Sequence, residues 1–391
     1  MVLPMTQPNG VGEALRFTRI TLDNWRNFRS VDIELQRRMF LVGPNASGKS
    51  NILDAFRFLR DIVAIGGGFQ DAVGKRGGVS RIRCLAARKD PQIGIRVDIG
   101  SDASPKEWSY ELRFTQDPRR RRPIVRKEIV EHRGVTVHSR PNAEDQSDPE
   151  RLTQTALEQV TANREFRPIA DFFASVRYLH LVPQLVREPD RSIGRENDPF
   201  GGDFLEQVAR APKKQRDSRL AKITRALRVA VPQLEELRLE IDERGTWHLR
   251  GRYQHWRPKG AWQDESDFSD GTLRLIGLLW SLLDRGGPLL LEEPELSLHP
   301  EVVRRVPQIF ARIQRESGRQ ILVSTHSVDL LRDTGIGLDE TLMLIPGDEG
   351  TEVRRAADVD EIVRLLQAGL SMAEAVMPRT RPASVDQLAL F

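Results

Sequence analysis

The chain has 391 residues, 39% hydrophobic and 30% charged, with 60 Lys+Arg against 56 Asp+Glu for a net charge of +4. Its single cysteine, Cys84, excludes a disulfide framework and any cysteine-built zinc site. No apolar run reaches the roughly 18–20 residues that span a bilayer, and no basic stretch followed by an apolar core marks a secretory signal. The expectation is a soluble, cytoplasmic chain with no membrane partner, built as two or three domains or as one domain with a large insertion.

Residues 1–14 read as a disordered leader. Alternating apolar positions predict short strands at 16–22, 31–35 and 39–42. A glycine-rich turn at 43–48 opens an amphipathic helix over 51–65, where Ile52, Leu53, Phe56, Leu59 and Ile62 fall at helical spacing. Further strands are expected at 92–100, 107–116, 122–131 and 134–139, then a polar, Pro-containing loop at 140–150. Helices follow at about 151–174 and 203–230, with a connector at 183–202 between them, then a hairpin at 234–241 and 246–252. A helix at 271–283 precedes two short apolar runs, 288–291 and 320–324, that fit buried parallel strands. A helix at 302–315 lies between those runs. The last helix spans about 358–368, and 377–391 is a Pro-punctuated tail ending in Leu-Ala-Leu-Phe. There are no internal repeats and no sustained heptads.

Four short stretches carry chemistry. Gly43, Pro44, Asn45, Ala46, Ser47, Gly48, Lys49 and Ser50, followed by Asn51, have the spacing of a phosphate-binding loop between a strand and a helix. Backbone N–H groups and the helix N-terminus cradle phosphates in such a loop. Lys49 neutralises the β- and γ-phosphates and Ser50 ligates Mg2+. Leu289 to Glu295 places acids at the end of a buried strand, with Glu292 set to hold Mg2+ and Glu293 to orient the attacking water. Glu stands where Asp is usual. Ser269, Asp270 and Gly271 form a turn at a helix start, which taken alone is an ordinary N-cap. His326 sits just past the strand at 320–324.

Together, and in this order, these pieces resemble the ABC-type ATPase head of SMC, RecF and OLD-like proteins, within the AAA ATPases. The opening strand-turn, Asn24-Trp25-Arg26-Asn27-Phe28-Arg29-Ser30, is similar to theirs, and the likeness covers about residues 15–65 and 266–345. It implies an α/β P-loop NTPase head, a mixed sheet flanked by helices, with a compact α+β lid insertion. The head would comprise 15–91 and 266–356, the lid 92–265, and a C-terminal helix and tail 357–391. It implies ATP as nucleotide and Mg2+ as cofactor, with ATP favoured over GTP because no Asn-Lys-x-Asp stretch is present. Lys49, Glu293 and His326 become catalytic, Glu292 and Glu293 the acidic pair, and His326 the sensor of the γ-phosphate. Ser269, Asp270 and Gly271 become the signature that closes over nucleotide held by a second protomer, and Leu296 to His299 the adjoining loop. Asp270 departs from the usual Ser-Gly-Gly. A family glutamine on Mg2+ is assigned to Gln70 in preference to Gln92.

The absence of heptads excludes the long SMC arm, and the β-rich stretch at 92–140 argues against a transporter ATPase. The whole pattern resembles short bacterial AAA-like ATPases that often accompany a separate TOPRIM-like nuclease in phage or plasmid defence. That implies a homodimer with composite ATP sites and a nuclease partner. A RecF-like repair ATPase and a weakly hydrolysing scaffold are the alternatives. Arg119, Arg120, Arg121, Arg122, Arg126 and Lys127 suit DNA or RNA phosphates; a solvated hairpin turn accounts for them equally simply. Lys213 to Arg228 reads as a helix face. Only nine of the 60 basic residues are Lys; codon usage explains that bias as directly as phosphate binding does. The apolar C-terminal end suits docking in a partner groove or a contact with the chain's own core.

Overall fold

A computed structural model describes residues 14–88, 90–192, 198, 200–256, 261–284 and 286–381. The expected leader, save residue 14, and the apolar end of the tail lie outside these residues. In chain order, β1 (Arg16–Trp25) and β2 (Phe28–Glu34) form a hairpin, and β3 (Arg38–Val42) runs into the glycine-rich turn and the helix Lys49–Val63. An antiparallel meander follows: β4 (Ile93–Gly100), β5 (Trp108–Gln116), β6 (Pro123–His132) and β7 (Val135–Arg140). Next come β8 (Arg177–Leu179), β9 (Leu234–Ile241), β10 (Trp247–Tyr253) and β11 (Ala261–Gln263). The chain then supplies β12 (Leu289–Glu292), β13 (Ile321–Thr325), β14 (Thr341–Gly347) and β15 (Gly350–Arg355).

These strands make three sheets. The central one has the order β15-β14-β3-β13-β12-β8 and is parallel except for β15. Its inner strands β3, β13 and β12 are mainly apolar because both faces are covered. Leu41, Leu290, Leu322 and Leu342 enter one core, shared with the helix Lys49–Val63 and the first sheet. Phe40, Val42, Leu289, Leu291, Ile321, Val323 and Met343 enter a second core, under the helices Asp270–Leu283 and Val306–Ser317. The period-2 alternation of a strand thus sorts neighbouring residues into opposite cores. A third core joins the helices Phe204–Arg210 and Lys213–Leu227, sheet β11-β10-β9 and the outer side of Asp270–Leu283.

The expected head–lid boundary at residue 92 falls inside the first sheet, whose order is β2-β1-β4-β5-β6-β7. A strand has two edges, and β2 covers only one edge of β1. The other edge's backbone groups are satisfied by β4, from Arg16↔Gly100 to Asp23↔Gly94. The meander therefore continues the N-terminal hairpin and clamps the helix Lys49–Val63 from the side opposite the central sheet, with Phe17 against Phe56 and Trp25 against Phe58. Gln320 ties the layers together. Its buried amide accepts from Phe17 N at 2.9 Å and donates to Phe17 O and Gln36 O at 2.7 and 2.9 Å.

Other expectations change for local reasons. The stretch 140–150 is ordered: Asn142 and Asp145 cap the short helix Ala143–Ser147 reciprocally, and Arg140 is buried against Asp145. Of the helix expected over 151–174, only Arg167–Ala174 forms beyond a single 3-10 turn at Pro149–Thr153, because Asn163 diverts its amide to Leu157 O and Pro168 restarts the helix. Pro212 has no N–H to continue a helix, so the helix expected over 203–230 splits on either side of it. Pro307, in the first turn of Val306–Ser317, likewise has no N–H to continue the preceding helix Pro300–Val303. The sequence pattern gives no expectation of strands β8, β11, β14 and β15. Among the described residues no helix is long and apolar enough to cross a membrane.

Candidate nucleotide site

Because β3, β13 and β12 are parallel neighbours, their C-terminal ends meet at one edge of the sheet, where ligands of α/β folds bind. The turn after β3 bends through two left-handed residues, Ala46 (φ 61°) and Gly48 (φ 98°). Gly48 is required twice over. Its φ suits glycine, and a Cβ there would lie 2.2 Å from the Asn27 amide nitrogen. That amide holds the loop in place: Asn27 donates to Ser47 O at 2.8 Å and accepts from Asn51 Nδ2 at 2.8 Å. The opening strand-turn thus serves the loop directly. Ser47 is fully buried and its hydroxyl has no partner, while Asn45, Ala46 and Ser50 face outward.

Lys49 is buried. Its Nζ donates to Gly43 O at 3.0 Å and Pro44 O at 3.1 Å and lies 2.6 Å from His326 Nε2. Burial lowers the Lys49 pKa to about 8, against the pull of Glu293, Glu292 and Glu295. Ser50 Oγ donates to Glu292 Oε1 at 2.5 Å, and the Tyr178 hydroxyl donates to the other oxygen of the same carboxylate. Burial and the Glu292 charge hold the Tyr178 hydroxyl well above the usual phenol range, so it remains a donor. Arg57 covers the Tyr178 ring at 4.2 Å.

Glu293 follows with φ 44° and donates its N–H to Ser324 O at 3.0 Å. Its carboxylate lies 3.1 Å from His326 Nε2, and that hydrogen bond, outweighing burial, holds its pKa below the usual range. The same His326 nitrogen therefore faces an ammonium and a carboxylate. It can accept from Lys49 or donate to Glu293, but not both at once. Glu295 shapes this arrangement: it accepts from Thr325 Oγ1 and from His326 N, while its second oxygen is buried without a partner. Burial pushes its carboxyl up.

The structure thus brings Lys49, Ser50, Glu292, Glu293 and His326 together. Ser269, Asp270 and Gly271 occupy a separate position. Ser269 caps its helix through Thr272 N at 3.2 Å. A Cβ on Gly271 would lie 2.5 Å from Ser297 O, so this turn packs on the 296–299 loop. Asp270 pairs with Arg187 at 2.6 Å. Among the described residues no hydrogen bond or ion pair joins these three to the glycine-rich loop.

Gln70 is not at the Mg2+ candidates Ser50 and Glu292. Its amide donates to Pro123 O at 2.9 Å and Thr153 O at 2.6 Å, which pins its short helix to the first sheet and the 149–153 turn. The segment beginning at β8 takes the place expected of it. Tyr178 holds Glu292, and Gln184 lies 3.5 Å from Asp270. Sequence reading passed over these residues. Their one local signal is the brief Tyr178-Leu179 run before Pro183.

The arginine run at 119–122 forms the β5–β6 turn, with Asp117 accepting from Arg119 N and Arg120 N at 2.7 and 2.9 Å. Arg120 and Arg122 pair with Glu150, Arg126 donates to Thr115 Oγ1 at 2.8 Å, and Lys127 pairs with Glu111 at 2.9 Å. Among the described residues only Arg119 and Arg121 of this set lack a side-chain partner.

A family model described as "AAA domain, putative AbiEii toxin, Type IV TA system" matches residues 38–333. The Old nuclease of Escherichia phage P2 is 21% identical over 350 residues, 81% of this chain and 57% of its own length. Endonuclease GajA of Bacillus cereus (strain VD045) is 45% identical over 47 residues, 12% of this chain and 8% of its own. Phosphonates import ATP-binding protein PhnC 2 of Pseudomonas savastanoi pv. phaseolicola (strain 1448A / Race 6) is 38% identical over 69 residues, 18% of this chain and 25% of its own. The chain thus spans between less than a tenth and just over half of the length of these relatives. A solved SmcHead bound to the C-winged helix domain of ScpA superposes with TM-score 0.55 at 13% identity, over 86% of this chain and 96% of that one. The Smc head domain from Pyrococcus furiosus, with an extended coiled coil, does so with TM-score 0.52 at 10% identity, over 90% and 100%.

Proposed function

The chain belongs to this AAA-domain family and has an ABC-type, SMC/OLD-like ATPase head; from that premise we propose that it binds and hydrolyses ATP, dimerises on nucleotide and passes the nucleotide state to a nuclease. One observation carries the reading: Lys49, Ser50, Glu292, Glu293 and His326 converge at the ends of three parallel strands. The site fits a nucleotide. The Ser47 hydroxyl is buried without a partner, Gly43 and Gly48 leave no room for side chains, and the helix N-terminus faces the same loop. Ser50 and Glu292 offer Mg2+ two hard oxygens already in contact, and the ion would neutralise phosphate charge there.

Lys49 meets the phosphates as a cation. Glu293, ionised at neutral pH, orients and polarises the attacking water. When Lys49 turns to phosphate, His326 Nε2 is released to donate to Glu293 or to the γ-phosphate. Ser269 and Gly271 close over the nucleotide of a second protomer, so two-fold symmetry yields two composite sites. The acid at Asp270 is neutralised by Arg187, which removes the repulsion it would exert on an incoming phosphate. The names of the Old nuclease and endonuclease GajA support a nuclease as the controlled activity; its place on a separate TOPRIM-like chain in phage or plasmid defence is proposed from the resemblance of the motifs alone. Any DNA or RNA contact from the β5–β6 turn rests on Arg119 and Arg121.

The test is ATP binding and ATP-driven dimerisation by the purified chain and its Lys49→Ala variant; equal ATP affinity in the two would sink the reading. Nucleotide affinity also carries a pH signature. The Lys49 ammonium predominates below its pKa of about 8 and is lost above it. Affinity for ATP is therefore expected to fall between about pH 7 and about pH 9, with proton uptake on binding at the alkaline end. A flat profile in a fluorescent-nucleotide titration would contradict it. Tyr178→Phe removes one of two hydroxyl donors to Glu292. It is expected to raise the Mg2+ concentration for half-maximal turnover by about tenfold, the equivalent of ~1.5 kcal/mol for a hydrogen bond to a charged acceptor. An unchanged Mg2+ titration would show that Tyr178 does not position Glu292.

A further inference from the structure

A cavity of about 480 Å³ opens between the end of the helix Lys49–Val63, β8, the helices Phe204–Arg210 and Lys213–Leu227, and the helix Asp270–Leu283. Four arginines line it, Arg60, Arg177, Arg210 and Arg219, against two carboxylates, Asp198 and Asp284. A smaller recess of about 60 Å³ shares Arg177 and Asp284 and reaches Arg319.

Arg60 is matched by Asp61 at 2.9 Å and Arg210 by Glu206 at 3.6 Å, but the charges around Asp284 do not balance. Asp284 lies 3.0 Å from Arg219 and 4.0 Å from Arg177, and it is also the one acid acting on Arg319. Three guanidinium groups thus share one carboxylate. Arg319 is buried, donates to the carbonyls of Gly287, Ser281 and Asp284, and leaves one terminal nitrogen buried with no partner. Burial lowers the Arg319 pKa to about 10 against the pull of Asp284, with the charges of Arg177 and Arg219 adding to the lowering. Arg219 Cζ lies over the Trp280 ring, 5.1 Å from its centroid, a cation–π contact that holds the guanidinium beside the cavity. Planar, oriented guanidinium groups match phosphate oxygens two at a time. The cavity is within the roughly 300–1,000 Å³ of small-ligand sites.

We propose that this cavity binds a phosphomonoester, independently of the glycine-rich loop, with Arg177, Arg210 and Arg219 as its phosphate contacts. A free mononucleotide and the 5′-phosphate end of a nucleic acid strand present the same group. Tyr178 lines the cavity as well and hydrogen-bonds Glu292, so the bound phosphate sits one side chain from the Mg2+ carboxylate.

The experiment is calorimetric titration of the full chain carrying Lys49→Ala, which silences the loop. AMP and a 5′-phosphorylated dinucleotide are the probes, and adenosine and the unphosphorylated dinucleotide the controls. The expected result is one phosphate ligand per chain and no binding of either control. Arg177→Gln alters a half-exposed side chain and so spares the fold; added to Lys49→Ala, it should weaken binding by about tenfold. Tighter binding of the dinucleotide assigns the site to strand ends, and tighter binding of AMP assigns it to free nucleotide. Three results would overturn the proposal: no heat from either phosphate probe at millimolar concentration, equal affinity with and without Arg177→Gln, or adenosine binding as well as AMP. None of these bears on whether the glycine-rich loop takes ATP.

Discussion

Glu293→Gln is expected to slow ATP turnover by about 10²–10⁴-fold, the usual contribution of a positioned general base, while ATP still binds. The amide keeps the shape and loses the charge. Among the described residues no hydrogen bond or ion pair joins Glu293 to the glycine-rich loop; it acts on Lys49 by its charge and through the His326 nitrogen that both face. Nucleotide affinity should therefore survive, and the ATP-held dimer should live longer because the step that ends it is slowed. Single-turnover hydrolysis and dimer lifetime by light scattering check both halves. A variant that turns over within about twofold of the parent would assign water activation elsewhere.

The second large effect falls on stability. Arg140 is buried and bonds Asp145 at 2.7 Å, lies 3.5 Å from Glu128, and donates to the carbonyls of Gln154 and Arg151. Glu128 is fully buried, and burial pushes its carboxyl up even though it accepts from Ala156 N, Leu157 N and Tyr110. Removing the cation by Arg140→Met strands Glu128 in the interior and leaves Asp145 with Arg151 alone, at 3.3 Å, at a cost of about 3–5 kcal/mol. Urea denaturation measures this. Restoring neutrality with Glu128→Gln and Asp145→Asn in the same chain should recover part of the loss. A loss below about 1 kcal/mol would mean that this corner is hydrated and loose.

The same corner explains what sequence reading could and could not see. The glycine-rich loop and the acidic strand end are legible because their chemistry needs given residue types at consecutive positions. Lys49, Ser50, Glu292 and Glu293 are therefore found by spacing alone. Neutralisation across long separations leaves no such trace. Arg140 and Asp145 read as members of a solvated loop until Glu128, on another strand, is placed beside them. The arginines at 120 and 122 read as free charge until Glu150 is placed opposite them. Strand β8 is only three residues long, and its pairing with β12 is invisible locally. Tyr178 and Gln184 were missed with it, and Gln70 was chosen because it lies near the loop in sequence rather than in space. The expected head–lid boundary at residue 92 crosses a sheet for a related reason: β1, before it, pairs through its second edge with β4, after it.

The central position of β3 between β13 and β14 also bears on how the protein is made. Phe17 waits for Gln320, 303 residues later, and Lys49 for His326, 277 residues later. At roughly 5–20 residues per second of synthesis, that interval lasts about a quarter of a minute to a minute. During it the glycine-rich turn has left the ribosome without its strand neighbours, its acids or its histidine. Contacts of such separation form late and slowly. On the proposed function, a nascent chain would neither hold nucleotide nor pair with its own copies until β12 and β13 emerge, and nucleotide control of a nuclease would begin only with those strands in place.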